Sequence, residues 1–137
     1  MNEIILNKKI SIERCIAQIR VYYELKSEAP FEEDYLKQDA IGMNLQRMCE
    51  LTIDIANHLI KSKKLGLPQD SADAFVLLHR ANLIPAGMME NMKGMVGFRN
   101  VLVHEYRQLD LSVMVDVIEH HLYDPLNFAI RAMAAME

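Results

Sequence analysis

The sequence predicts an all-α protein, an up-down bundle of about five helices, and three observations support this prediction. Apolar residues recur three or four positions apart along most segments, as on one face of a helix. No segment shows the strict alternation of apolar and polar residues that is typical of a half-buried strand. Helix-breaking residues are sparse and fall between the periodic segments, at Pro30, Gly66, Pro68, Pro85 and Pro125. Short connections of this kind are typical of helical bundles.

The first two helices are predicted to be the longest. The first covers residues 3–26, and its apolar stripe consists of Ile5, Ile12, Cys15, Ile16, Ile19, Tyr22 and Tyr23. The second follows a turn at 27–31 and covers residues 32–64. Its expected core stripe consists of Leu36, Ala40, Met43, Met48, Ile55 and Leu59. Gly66 is expected to supply the left-handed stop, and lysines at 61, 63 and 64 suit the negative end of the helix dipole.

Asp70 or Ser71 is expected to cap a short third helix, in which Phe75 and Leu78 face the core and Asn82 is a further candidate. Pro85 suits the first position of a fourth helix that runs to about residue 104, because its missing N–H would be unpaired there anyway.

The fourth helix contains four methionines and, in its interior, the two glycines Gly94 and Gly97. Glycine inside a helix costs about 1 kcal/mol relative to alanine, so the pair indicates that another backbone packs closely there. Ten methionines in the whole chain fit either an irregular core or an adaptable interface on this helix. Asp110 caps a fifth helix, which Pro125 kinks or breaks before helix resumes to residue 136.

Composition limits the class of protein. The chain has 137 residues, 19 acidic and 15 basic side chains and a net charge of −4, which predicts one globular domain over residues 1–137. Disorder, collagen-like structure and a disulfide scaffold are excluded. The longest apolar runs are far shorter than the ~20 residues of a membrane span, and no signal peptide is recognisable, so we expect a cytoplasmic protein. Cys15 and Cys49 are expected to be reduced core thiols. The acidic balance argues against sequence-independent coating of nucleic acid but leaves room for a local basic site.

No metal site or cofactor is expected. The five histidines form no His-x-x-x-His pair, and the adjacent His120 and His121 point about 100° apart on a helix. The second helix carries a polar stripe, which is either a salt-bridged solvent face or the floor of a groove, and which consists of Asp39, Arg47, Glu50, Asp54 and His58.

The segment from Phe98 to Arg107 concentrates the residues that could perform chemistry. Asn100 and His104 share a helix face, whereas Arg99 and His104 lie about 140° apart around the axis. Contact between an arginine and a histidine is therefore easier across a two-fold axis than within one chain. Arg99, Val103 and Tyr106 would share a stripe if the helix persisted through residue 106.

These residue types suit phosphodiester chemistry on RNA. Arginine presents a planar fork to phosphate oxygens, and histidine can exchange protons near neutral pH with a ribose 2′-OH or a leaving 5′-oxygen. Without a metal, Arg99 and amide donors such as Asn100 would have to stabilise the transition-state charge. From spacing alone, a helix end with a capping histidine and surface arginines remains the alternative.

The run Gly-Phe-Arg-Asn-Val-Leu-Val-His-Glu-Tyr at 97–106 resembles the Arg-x4-His-x-Tyr motif of HepT toxins, which belong to the HEPN domains. The resemblance extends over approximately residues 5–130, and its supporting positions are Asp39, Ala40, Leu67, Pro68, Asp73, Ala74, Phe75 and Asp110. It implies a HEPN-like helical homodimer that is the toxin of a type II/VII-like toxin–antitoxin pair. It also implies metal-independent cleavage of mRNA or tRNA at a composite site in the dimer interface.

Carried onto this chain, the resemblance implies that Arg99 holds phosphate, His104 is the acid/base residue and Asn100 supports the site. It implies a minimal nucleotidyltransferase antitoxin, with a higher-order complex, that silences the toxin by transferring AMP to Tyr106. The added bulk and negative charge would repel RNA. Candidate contacts with substrate or partner are Arg107, Asp39, Arg47 and Glu50.

Two other functions remain open at this point. The chain could be a non-catalytic, nucleotide- or partner-binding subunit of a nucleotidyltransferase complex, which its acidic charge fits somewhat better. It could also be a structural dimer without chemistry, although a scaffold alone does not explain why these polar residues concentrate at one helix end.

Overall fold

Six α-helices follow one another in the computed structural model, which describes residues 2–136, and no strand occurs in that range. They are α1 (Glu3–Glu24), α2 (Tyr35–Lys63), α3 (Ser71–Arg80), α4 (Ala86–His104), α5 (Leu111–His120) and α6 (Asp124–Ala135). Short 3₁₀ turns at Phe31–Glu33 and Tyr106–Gln108 precede α2 and α5. The all-α prediction is confirmed. The count is six rather than about five because the chain leaves the helical path before Pro125, which lies in the first turn of α6.

The long helix α2 is the centre of the bundle. Helix α1 packs along it, and α3, α4 and α6 also contact it. Phe75 of α3 meets Phe128 of α6 edge to face, with ring centroids 5.2 Å apart, in a core shared by all these helices. The predicted stripe of α1 is confirmed, since its aliphatic members and Cys15 are buried and its two tyrosines are partly buried.

The predicted core stripe of α2 is partly wrong. Leu36 and Met43 are 83% and 50% exposed, and Ala40 is only partly buried. Helical geometry explains the error, because Leu36 and Met43 lie on the same side of α2 as the acidic residues Asp39 and Glu50. The apolar side chains that α2 buries completely or almost completely are Ile41, Leu45, Met48, Cys49, Ile55, Ala56, Leu59 and Ile60.

The helix stops also differ from the prediction. At the end of α2 the left-handed residue is Lys64, with φ 55°, and Gly66 has a positive φ two residues later. The backbone N–H groups of Lys64 and Leu65 bond the carbonyls of Lys61 and Ile60, which fixes the left-handed position immediately after the last helical residue. Asn82 performs the same role after α3, with φ 60°, so it lies outside that helix.

The helix starts agree more closely. Asp70 and Asp110 each accept a backbone N–H of the following turn and cap α3 and α5, as predicted. Helix α2 begins at Tyr35 rather than at residue 32, because Asp34 caps it after the 3₁₀ turn. Pro85 lies one residue before α4.

Both cysteines are buried and unpaired, which confirms that they are core thiols. Burial raises the pKa of both, and that of Cys49 reaches about 12 despite the opposing charge of nearby Arg99. Within residues 2–136 no helix is both long enough and apolar enough to cross a membrane.

Candidate functional site

The motif predicted to carry chemistry lies where α4 ends. Helix α4 stops at His104, as predicted, and Glu105 leaves the helical conformation with φ −138°. Tyr106 and Arg107 then lie in the 3₁₀ turn before α5. The helix does not persist through residue 106, so the predicted common stripe of Arg99, Val103 and Tyr106 does not form.

Arg99 is directed inward, against α2. Its Nη2 donates to Oε1 of Glu50 at 3.3 Å, and its Nη1 donates to Oδ1 of Asn100 at 3.2 Å. Its Nε is shielded from solvent and has no acceptor among residues 2–136. The Glu50 carboxylate also accepts a hydrogen bond from Gln46. Both members of this ion pair are partly exposed, so the pair contributes about 1 kcal/mol or less to stability, and its main effect is to orient the guanidinium.

His104 lies about 140° around the axis of α4 from Arg99. Its side chain is exposed and makes no hydrogen bond to any other residue of the described chain. Asn100 is exposed on the same side, four residues earlier. The five-residue spacing of Arg99 and His104 therefore places the two side chains on different faces of α4, as expected from about 140° of rotation.

Tyr106 packs against the start of α2. Its hydroxyl donates to Oδ1 of Asp39 at 2.7 Å. Its ring lies against the helix backbone at Gly42, where an added Cβ would be 3.2 Å from Cε2 and 3.4 Å from the hydroxyl oxygen. Partial burial, then the hydrogen bond to Asp39 and the charge of that carboxylate, raise the pKa of Tyr106 to about 12. The phenol is consequently protonated at neutral pH.

The other candidate contacts separate into two groups. Arg107 lines a cavity of about 350 Å³ together with Asp39 and Tyr106. Arg47 lines a different cavity beside α1, with Arg14 and Cys15, and none of the motif residues borders it. The tertiary structure thus joins Arg107, Asp39 and Glu50 to the motif and leaves Arg47 apart.

Residues of the polar stripe of α2 form hydrogen bonds and an ion pair with residues of other segments. Besides the contacts of Asp39 and Glu50, Asp54 pairs with Lys8 at 3.6 Å. His58 contacts Asn2 at 3.2 Å. Among residues 2–136 no three histidine, cysteine, aspartate or glutamate side chains are grouped so that they could hold a metal ion.

The two interior glycines of α4, Gly94 and Gly97, have no close neighbour among residues 2–136. A Cβ at Gly94 or Gly97 would meet no atom of residues 2–136 within 4 Å. The expectation that another backbone packs closely is therefore wrong for the single chain. Gly97 and His104 are seven residues apart and share the exposed face of α4. Of the methionines of this helix, Met92 is buried in the core and the others are partly buried.

Sequence reasoning did not find the contact between Tyr106 and Gly42. The available signal was a glycine inside the longest helix, three residues after Asp39. Such a glycine indicates the close approach of another group. The same argument was applied to Gly94 and Gly97, where the chain offers no such group.

Comparisons with known proteins identify the family of the chain. The family model described as ribonuclease HepT-like matches residues 12–132. The mRNA nuclease HepT of Shewanella oneidensis is 48% identical over 124 residues, which covers 90% of this chain and 92% of that protein.

Solved structures give the same result for the fold. A tri-AMPylated Shewanella oneidensis HEPN toxin in complex with an MNT antitoxin matches with a TM-score of 0.90 and 46% identity, covering 98% of this chain and 99% of that chain. A toxin–antitoxin crystal structure with AMP-PNP matches with a TM-score of 0.89 and 45% identity, covering 96% of this chain and 99% of that one.

Proposed function

This chain belongs to the HepT-like ribonuclease family, and we propose that it is a metal-independent endoribonuclease, the toxin of a toxin–antitoxin pair. Its relatives carry the names of an mRNA nuclease and a tRNA nuclease. The function resides in a single helical domain, and the acting residues are those at the end of α4.

The observation that supports the proposal is the separation of Arg99 and His104 by about 140° around the axis of α4. The Arg99 guanidinium is held between Glu50 of α2 and Asn100, and His104 is exposed on the face that it shares with Asn100. Within one chain the Arg99 guanidinium and the His104 imidazole make no hydrogen bond to each other. Two copies related by a two-fold axis along the exposed face of α4 would bring these groups together, because each histidine then faces the partner's arginine.

In this composite site, His104 takes the proton from a ribose 2′-OH, and the 2′-oxygen attacks the adjacent phosphorus. The histidine of the second copy protonates the leaving 5′-oxygen, so the product ends in a 2′,3′-cyclic phosphate. Arg99 stabilises the charge that develops on the phosphoryl oxygens, and Asn100 supports the arginine through its side-chain oxygen.

The second part of the proposal is regulation by a minimal nucleotidyltransferase antitoxin. The structural relative is AMPylated and bound to such an antitoxin. Tyr106 is the proposed acceptor of AMP. It follows His104 by two positions in the sequence, and it is 37% exposed. Arg107 and Asp39 border the cavity beside Tyr106, and Glu50 holds Arg99. These three are the proposed contacts to substrate or antitoxin, and Arg47 is a more distant candidate.

Cleavage is expected to continue in EDTA and to fail on DNA. Arg99 and His104 supply the charge stabilisation and the proton transfers, and a 2′-deoxy linkage lacks the nucleophile. The measurement is cleavage of a synthetic RNA and of the same strand with a single 2′-deoxy nucleotide at the cleavage site, followed by end-group analysis of the products. Loss of activity in EDTA, or a cut at the 2′-deoxy position, would contradict this mechanism.

A dimer is expected in solution at micromolar concentration, with the exposed face of α4 in the interface. Gly97→Glu should dissociate it, because two added carboxylates would meet near the two-fold axis, whereas the protomer has open space at this position. Gly87→Glu, in the first turn of the same helix and equally unobstructed, is the control. Sedimentation velocity measures the result. A wild-type monomer, or a Gly97→Glu dimer as stable as the control, would count against the composite site.

The second candidate is a non-catalytic, partner- or nucleotide-binding subunit. Two observations favour this alternative: the net charge of the chain is −4, and the Arg99 guanidinium is already paired with the Glu50 carboxylate. A purified dimer that binds nucleotide or antitoxin but leaves RNA intact would support this alternative over the nuclease.

A further inference from the structure

The contact between Asp39 and Tyr106 has a chemical consequence for the modification of the tyrosine. The phenolic hydroxyl donates to Oδ1 of Asp39 at 2.7 Å, a short hydrogen bond to a carboxylate. Asp39 is exposed on the second turn of α2, and Tyr106 is partly exposed. The hydrogen-bonded pair therefore lies at the protein surface, where another enzyme can approach it.

We propose that Asp39 is the proton acceptor for nucleotidyl transfer to Tyr106, so that the toxin supplies the base for its own silencing. The inference rests on the proposed modification of Tyr106. It adds a catalytic residue on the side of the acceptor, where the donor enzyme would otherwise have to provide one.

The reaction balances with a nucleoside triphosphate as the co-reactant. The phenolic oxygen attacks the α-phosphorus and forms an O–P bond. The bond from the α-phosphorus to the oxygen that bridges to the β-phosphorus breaks, and pyrophosphate leaves with the electron pair. The phenolic proton passes to Oδ1 of Asp39 and then to solvent.

A base is needed because the phenol is a weak acid in this environment. Burial and Asp39 raise the pKa of Tyr106 to about 12, so the phenolate is negligible at neutral pH and the proton must leave during transfer. The carboxylate is already the hydrogen-bond acceptor, and no rearrangement is required for it to take the proton.

Asp39 is the carboxylate that accepts the hydrogen bond of the Tyr106 hydroxyl, whereas Glu32, which borders the same cavity, makes no hydrogen bond to it. The titratable groups that border the two cavities beside Tyr106, apart from the pair itself, are Glu32, Tyr35 and Arg107. The hydroxyl of Tyr106 has no hydrogen-bond acceptor other than Asp39 within residues 2–136. Gly42 keeps the ring close to the helix, and thereby keeps the hydroxyl over the second turn where Asp39 lies.

The test measures the rate of AMP addition to the full-length dimer by the cognate nucleotidyltransferase with ATP and Mg²⁺, by intact mass with the site mapped by peptide analysis. Asp39→Asn retains an oxygen that accepts the hydrogen bond but cannot take the proton. We expect modification about 100-fold slower at pH 7. Asp39→Glu should recover part of the rate. The matched control is Asp54→Asn, on the same helix about 22 Å away, which should react as the wild type does.

The pH profile distinguishes a base from a positioning group. Wild-type modification should be nearly independent of pH around neutrality, whereas the Asp39→Asn rate should rise about tenfold per pH unit, following the phenolate fraction of Tyr106. An unchanged rate for Asp39→Asn, or a slower rate with a profile parallel to the wild type, overturns the inference. If the wild-type chain itself gains no AMP on Tyr106, the proposed silencing fails and the inference fails with it.

Discussion

Replacing His104 by alanine is expected to abolish RNA cleavage and growth arrest while leaving the dimer intact. The side chain is exposed and forms no hydrogen bond to another described residue, so its removal costs the fold almost nothing. The substitution removes both the general base and the general acid from a site that two chains form together. Loss of one general acid or base alone lowers the cleavage rate by about 10²–10⁴-fold. Cleavage rates on a defined RNA, with sedimentation to check the dimer, measure the effect.

The matched control is His120→Ala, at the exposed end of α5, which should cleave as the wild type does. Arg99→Ala should lose activity to a similar extent, about 10²–10³-fold, because the donor to the developing phosphoryl charge is gone. Arg80→Ala, at the end of α3, is the control for removing an exposed arginine. A His104→Ala protein that still cleaves at the wild-type rate would disprove the catalytic assignment.

Mixing wild-type and His104→Ala chains tests whether the site is shared between copies. One site uses the histidines of both chains, so a mixed dimer lacks either the base or the acid, and random exchange of equal amounts should leave about a quarter of the wild-type activity. Activity near one half would mean that each chain acts with its own histidine alone.

The second large effect concerns silencing. Co-incubation with the cognate nucleotidyltransferase and ATP should reduce wild-type cleavage by about 100-fold, whereas Tyr106→Phe should remain active under the same conditions. AMP on Tyr106 would add bulk and negative charge close to the region where the RNA backbone must bind. Tyr106→Phe keeps the ring against Gly42 and loses only the hydrogen bond to the Asp39 carboxylate, worth about 1.5–3 kcal/mol, so it should fold.

Tyr35→Phe is the control, because Tyr35 is 69% exposed and borders the same cavity as Tyr106, which makes it an alternative acceptor. It should gain AMP and lose cleavage as the wild type does. Mass spectrometry and the cleavage assay are run on the same samples. If Tyr106→Phe still gains AMP and loses cleavage, or if fully modified wild type keeps cutting RNA, the silencing mechanism is wrong.

Local patterns predicted the elements of the fold well. The stripe of α1, the caps at Asp70 and Asp110 and the end of α4 at His104 all depend on residues close in sequence. The errors occurred where contacts with other parts of the chain determine burial or the end of a helix. Leu36 and Met43 have the character of core residues, yet they lie on the side of α2 that no other helix covers well enough to bury them. Gly66 was predicted to end α2, but the hydrogen bonds that end this helix place Lys64 in the left-handed conformation.

The sequence alone determined the all-helical class, the family resemblance and the list of chemically active residues, because these depend on residue type and spacing. Only the tertiary structure decided what those residues contact. It paired Arg99 with Glu50 and Tyr106 with Asp39, across 49 and 67 positions of sequence, and it left the glycine face of α4 open. Such contacts follow from how α2, α4 and the turn after α4 pack together. No local periodicity encodes that packing.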